Sequence, residues 1–159
     1  MQRLLILRHA HSEPAGPQGD RARALSTRGH DQCASVLAHM READLVPDAV
    51  VCSPAARTLE TWKRVSAIAP GAKLHSPENL YMGDENDYTD AVATVGDGTV
   101  LLVGHNPTCA MLACGLKGAA DLHPMLAEGR YPTGSLCVAD ATDRTWRAVQ
   151  IFVPERPTG

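Results

Sequence analysis

Three places in the chain set a cation or an imidazole at the end of a short apolar run. Leu4-Leu5-Ile6-Leu7 runs into Arg8-His9, and Ala49-Val50-Val51-Cys52 runs into Ser53, with Arg57 about one helical turn further on. Thr99-Val100-Leu101-Leu102-Val103 runs into Gly104-His105. Any one of these reads as a surface charge or an ordinary loop histidine, but three recurrences at the same kind of position ask for a common cause. Arginine presents a planar fork that fits phosphate oxygens, and two forks can hold one phosphoryl group on several oxygens. A neutral imidazole nitrogen is a competent nucleophile at phosphorus. A helix beginning near Pro107-Thr108 adds backbone N–H groups that favour anions. Phosphoryl transfer asks a protein mainly for positioning and charge stabilisation, and this set supplies both.

The elements that must position these residues follow from the apolar pattern. Runs of four or five aliphatic residues are too short for helices and suit strands buried on both faces. Between them lie helical stripes: Cys33, Val36, Leu37 and Met40 within 31–43, with Ser26 or Thr27 as N-cap, and Leu59, Trp62, Val65 and Ile68 within 55–69. A further helix is expected over 108–116, a weak one over 90–95, and a short strand over 73–75. Residues 12–24 carry Pro14, Gly16, Pro17 and Gly19 and read as a loop placed to face substrate. Residues 76–87 read as polar and irregular. Two late strands, 135–139 and 146–153, are expected at a sheet edge. Alternating strands and helices predict an α/β domain over residues 1–153: three layers, a mainly parallel sheet flanked by helices, and an antiparallel edge strand. Residues 154–159, with two prolines, predict a flexible tail. In such a sheet ligands bind beyond the carboxyl ends of the strands, where all three chemical pairs fall.

The 159-residue length fits one domain, and 44% hydrophobic with 21% charged residues is ordinary for a globular chain. A formal net charge of −3 carries no nucleic-acid footprint, and no apolar run is long enough to span a bilayer. The first strand begins at once, so no leader peptide is expected. Five cysteines, an odd number without close-set pairs, predict free thiols and a cytoplasmic location.

Leu7-Arg8-His9-Ala10, Ser53-Pro54-Ala55-Ala56-Arg57-Thr58 and Gly104-His105-Asn106-Pro107 together resemble the histidine phosphatase superfamily. The short chain, and Ala10 where many members have glycine, resemble its SixA-like phosphohistidine phosphatase branch. Leu25-Ser26-Thr27-Arg28-Gly29 and Pro132-Thr133-Gly134 add smaller matches. The resemblance implies a phosphoglycerate mutase-like fold and a metal- and cofactor-independent phosphatase. It implies that His9 is phosphorylated during turnover while Arg8, Arg57 and His105 bind the phosphoryl group. Asn106 would lie beside the pocket, and Ser12 and Arg21 could reach substrate from the first loop. The substrate would be a phosphorylated protein or a small phosphate ester, with inorganic phosphate or vanadate as product or inhibitor. One departure stands out. Many members place a glutamate as general acid shortly after a leucine in mid-chain, and Met82 aligns there, leaving Glu78, Asp84 and Glu85 as candidate donors.

Other chemistries fit less well. Cys52 and Arg57 are separated by four residues, one fewer than the loop of cysteine-based phosphatases. His9 and His11 have a spacing that could share a metal, but no run of further ligands accompanies them. A non-catalytic phosphate- or phosphoprotein-binding module would be expected to have lost one of Arg8, His9, Arg57 and His105. A mutase would need an insertion to cage its intermediate, and the chain offers none.

Overall fold

The computed structural model describes residues 2–155. Six strands form one sheet: β1 (Arg3–Arg8), β2 (Ala49–Cys52), β3 (Lys73–His75), β4 (Thr99–Gly104), β5 (Leu136–Thr142) and β6 (Thr145–Phe152), in the order β3-β2-β4-β1-β5-β6. β3, β2, β4 and β1 pair in parallel, while β5 pairs antiparallel with both β1 and β6. The strand that runs against the rest, β5, therefore lies one place in from the edge, and the edge position belongs to β6.

The helices α1 (Thr27–Glu42), α2 (Ala56–Val65), α3 (Glu85–Thr94) and α4 (Thr108–Cys114) cover the two faces, and two four-residue helices, α5 (Ala119–Leu122) and α6 (Pro124–Ala127), follow. Alternate residues of each central strand enter opposite cores, as the pleat requires. Leu4 and Ile6 of β1 and Val100 and Leu102 of β4 meet Tyr88, Val92, Cys109 and Ala113 from α3 and α4. Leu5, Leu7, Leu101 and Val103 meet Cys33, Val36, Met40, Trp62 and Val65 from α1 and α2. Two-sided burial is why these strands read as unbroken aliphatic runs.

Two helices begin earlier than the apolar pattern alone suggests. α1 starts at Thr27, ahead of the apolar stripe over 31–43, and Ser26, one of the two expected N-caps, holds that start: its Oγ accepts from the Gly29 amide at 3.1 Å. Gly29 is a poor helix former, but a Cβ there would stand 2.0 Å from the His11 carbonyl oxygen. The glycine lets the helix start lie against the chain just past His9. α3 starts at Glu85 rather than 90, closed by a capping box in which the Asp84 and Asp87 side chains each accept from the other's amide at 3.0 Å. α5 and α6 lie in a stretch to which no element was assigned from sequence. Of the tail expected over 154–159, Pro154 is buried and 156–159 lie outside the described residues. No helix among the described residues is long and apolar enough to cross a membrane.

Candidate active site

β1 and β4 are neighbours, with Arg8 in register with Gly104, so His9 and His105 leave the sheet side by side. Their ring centroids are 5.5 Å apart, edge to face. β2, on the other side of β4, delivers Ser53, whose Oγ lies 2.6 Å from His105 Nε2. The turn after β2 starts α2, whose second residue is Arg57, 7% exposed. Thr61, one turn on in α2, accepts the Ala10 amide at 3.0 Å and ties this helix to the chain beyond His9. Tyr88 of α3 lies beneath Gly104, where a Cβ would meet its ring at 2.5 Å, and its hydroxyl accepts the His105 amide at 3.1 Å. Glycine at 104 is thus the residue that lets the histidine sit so close to the ring.

Arg8, His9, Arg57 and His105 line one cavity of about 340 Å³, with Ser12 and Asn106 on its wall. The sequence-level grouping of these six residues is therefore one place in the fold. The His9 tautomer follows from its partner. Nδ1 lies 2.7 Å from the Ala10 carbonyl oxygen, which can only accept, so Nδ1 carries the proton and Nε2 keeps its lone pair. No hydrogen bond among the described residues occupies Nε2. Burial, reinforced by Arg8, His105 and Arg57, pushes the His9 pKa down to about 3, against the pull of the Ala10 carbonyl. Burial and Arg57 push His105 down to about 4. Both rings are neutral at physiological pH, the form in which imidazole attacks phosphorus.

These shifts fix the pH behaviour. Each folded-state pKa lies below the unfolded value of ~6.5, so the neutral rings favour the fold fully above that pH. Their contribution is lost as pH falls from ~6.5 through the folded values. Ring resonances of His9 and His105 in the ligand-free protein are expected to stay in the neutral form at pH 5. Titration of either near 6.5, followed by NMR, would contradict the buried geometry.

Arg57 is already engaged. Its Nη1 donates to the backbone oxygen of Asp20 at 3.0 Å and its Nη2 to Asp20 Oδ2 at 3.2 Å. Asp20 lies in a short 3₁₀ turn of the first loop, Asp20–Ala22, and also receives the Tyr81 hydroxyl at 2.5 Å and Arg23 at 3.1 Å. The Tyr81 hydroxyl, with Arg23 and Arg57, holds the Asp20 carboxyl down at about 2. Arg23 reaches on to Ser12 Oγ at 2.9 Å and lines the cavity. Asp20 and Arg23 belong to the loop over 12–24 that the sequence places facing substrate, although neither is singled out there as a site residue, and Tyr81 is not expected at the site at all. The i,i+3 spacing of Asp20 and Arg23 was the available signal, but nothing local ties that pair to Tyr81 or to Arg57.

Four expected site residues stand elsewhere. Arg21 does not line the cavity: it pairs with the Glu78 carboxylate and lies 5.3 Å from the centre of the Tyr81 ring. Glu78 is correspondingly held below its usual pKa, chiefly by that hydrogen bond, so it is ionised and has no proton to give at neutral pH. Asp84 caps α3, and Asp84 and Glu85 line a neighbouring cavity of about 340 Å³ that shares only the His105 and Asn106 wall with the first. Met82, where relatives are expected to carry the acid, is 87% exposed. Burial pushes the Cys52 thiol up to about 12, far from a thiolate. His11, the partner of His9 in the alternative metal-binding pair, lines the same cavity as His9. Its Nδ1 lies 2.6 Å from Ser26 Oγ, engaged at the start of α1.

Residues 4–81 match the model of the histidine phosphatase superfamily, branch 1. An uncharacterised protein of Mycobacterium tuberculosis, MT1313, is 30% identical over 135 residues, covering 80% of this chain and 84% of that protein. Among solved structures, a protein described as a candidate phosphohistidine phosphatase SixA from Agrobacterium tumefaciens matches with a TM-score of 0.83 and 28% identity, over 96% of this chain and 98% of that one. A similarly described protein from Nakamurella multipartitia matches with a TM-score of 0.79 and 26% identity, over 96% of each chain. The fold is also that of the protein histidine phosphatase SixA solved with tungstate, at a TM-score of 0.74 and 21% identity over 96% of this chain and 97% of that one. The chain belongs to the histidine phosphatase superfamily, in its SixA-like branch. It is a phosphoric monoester hydrolase.

Proposed function

We propose that the protein is a metal-independent phosphatase that works through a phosphohistidine at His9, with phosphohistidine on a partner protein as its preferred substrate class. The observation that carries this reading is the 2.7 Å contact of His9 Nδ1 with the Ala10 carbonyl, which commits the ring proton there and leaves Nε2 unoccupied in a cavity flanked by two arginines. In the first step Nε2 attacks phosphorus and the bond from phosphorus to the leaving nitrogen breaks. Arg8, Arg57 and His105 hold the phosphoryl oxygens as charge shifts onto them. In the second step water attacks the phosphorus on His9, the P–Nε2 bond breaks with its electron pair returning to the ring, the water's surplus proton passes to a phosphate oxygen or to solvent, and inorganic phosphate leaves. No metal enters either step. Small phosphomonoesters follow the same route with an oxygen leaving group.

The preference for phosphohistidine rests on the proton donors. An alkoxide needs a proton as it leaves, whereas an imidazole departs more readily. Glu78 and Asp20 are both held ionised, and Asp84 and Glu85 face the neighbouring cavity. Turnover of a phosphohistidine protein is therefore expected to exceed that of alkyl phosphomonoesters by about two orders of magnitude in kcat/KM, the usual share of general acid catalysis. Equal rates on alkyl esters and phosphohistidine would reveal a working proton donor and overturn the preference. Vanadate, tungstate and inorganic phosphate are expected to inhibit competitively, and activity is expected to survive exhaustive chelation.

A further inference from the structure

Beside the cavity that holds His9 lies a second, larger one of about 480 Å³, and the two share Arg8, Asn106 and Thr133. Arg28 and Arg130 line the second cavity, and among the described residues no acidic side chain does. Arg28 is the second residue of α1, on backbone fixed by the Ser26 cap and by the approach of Gly29 to His11. It makes no side-chain hydrogen bond or ion pair among the described residues, and its Nε is buried without a partner. Arg8 Nε is buried and unpartnered as well. Arg130 is paired with Glu128, a contact between two well-exposed side chains, 63% and 58%, which water screens and a stronger anion displaces.

The opposite wall is rigid. The Tyr131 carbonyl accepts both Arg8 Nη1 at 3.0 Å and Asn106 Nδ2 at 2.9 Å, while its buried hydroxyl donates to the Ile6 carbonyl of β1 at 2.6 Å. Thr133 is tied to Gln32 of α1 at 3.1 Å. A basic cavity with a fixed wall, an arginine without a counter-ion and an opening onto the phosphoryl pocket is arranged to receive negative charge.

We infer that this cavity is a second anion subsite, in which Arg28 and Arg130 bind a phosphate or carboxylate group carried by the same substrate whose phosphoryl group sits over His9. The inference rests on the phosphatase reading for the identity of the first group, and it narrows the substrate to molecules with a second acidic group near the one removed. The group could come from a small bisphosphorylated molecule or from an acidic side chain flanking a phosphohistidine. In both cases a guanidinium fork engages an oxyanion.

The test uses alkane bisphosphonates with chains of one to six methylenes, compared with methylphosphonate, in calorimetric binding to the whole protein. At the best chain length the bisphosphonate is expected to bind about tenfold or more tightly than methylphosphonate, the scale of one charge-assisted hydrogen bond. Arg28→Gln combined with Arg130→Gln is expected to remove that advantage and to leave methylphosphonate binding unchanged, which also shows that the variant is folded. No advantage at any length, or an advantage that survives both substitutions, overturns the subsite. Because the readout is binding, a wild-type protein that held bisphosphonates tightly but hydrolysed nothing would refute the catalytic reading and leave the subsite standing. Rates on phosphohistidine peptides flanked by glutamate or by glutamine, and on small bisphosphates against monophosphates, then identify the source. The pair whose ratio collapses in the double variant is the one the subsite serves.

Discussion

His9→Ala is expected to abolish turnover, lowering kcat by at least about four orders of magnitude, while leaving the fold in place. The size follows from what is removed: without the nucleophile, residual acceleration comes only from binding and charge stabilisation. The fold survives because the His9 side chain contributes little to either core. Its ring faces a cavity rather than the clusters around β1, and its one side-chain hydrogen bond among the described residues is local, to the next residue's carbonyl. Circular dichroism and thermal melting should match the parent. The same variant should still bind vanadate, since both arginines and His105 remain. Rapid quenching of wild type with labelled substrate should trap an acid-labile, base-stable phosphoprotein, and His9→Ala should trap none. Retained turnover would move the nucleophile elsewhere, and His105 would then be the candidate.

Arg57→Ala is expected to reduce kcat/KM by about 10²–10³, the loss seen when one preorganised donor to a developing oxyanion is deleted. Arg57 is nearly buried and held by two contacts to Asp20, so its guanidinium is fixed before substrate arrives. Its removal also strands the Asp20 carboxylate, which would keep only Tyr81 and Arg23. Two effects therefore combine, and Arg57→Lys separates them. Lysine restores a charge but not the fork, so it should recover part of the Asp20 pairing and little of the rate. A loss below about fivefold in the alanine variant would mean that Arg8 alone carries the phosphoryl oxygens.

The features legible in the sequence and those visible only in the fold divide along the range of the interactions. The four central site residues were legible because each ends a strand or opens the next helix, and parallel strands bring such ends to one edge whatever their distance along the chain. β2 was read with its boundaries intact, since Pro54 and the aliphatic run bracket it. The start of α1 was legible in its N-cap Ser26 and that of α3 was not, and both helices open on residues outside any apolar stripe, Gly29 and the polar run from Asp84 to Asp87. One is there for a close backbone approach and the other is a cap, and neither purpose is visible in periodicity. α5 and α6 have only four residues each, too few for a helical stripe. In the first loop Arg21 faces away from the cavity and Arg23 lines it. Arg21 and Arg23 are equivalent by composition, and only the fold decides that Arg21 meets Glu78, fifty-seven residues on, while Arg23 turns inward to Ser12.

The centre of the sheet has a consequence for how the molecule comes apart. β1 and β4 each have strands on both sides and helices on both faces, so their amides are among those expected to exchange only when the whole domain opens. The segment bearing Asp20 lies outside the sheet and is anchored to the rest of the fold chiefly through side-chain contacts of the half-exposed Asp20 with Arg57 and Tyr81, so it should open far more often. Heating or mild denaturant would then loosen the grip on Arg57 well before the two imidazoles separate, leaving an ensemble in which the paired rings are intact but the guanidinium beside them is slack.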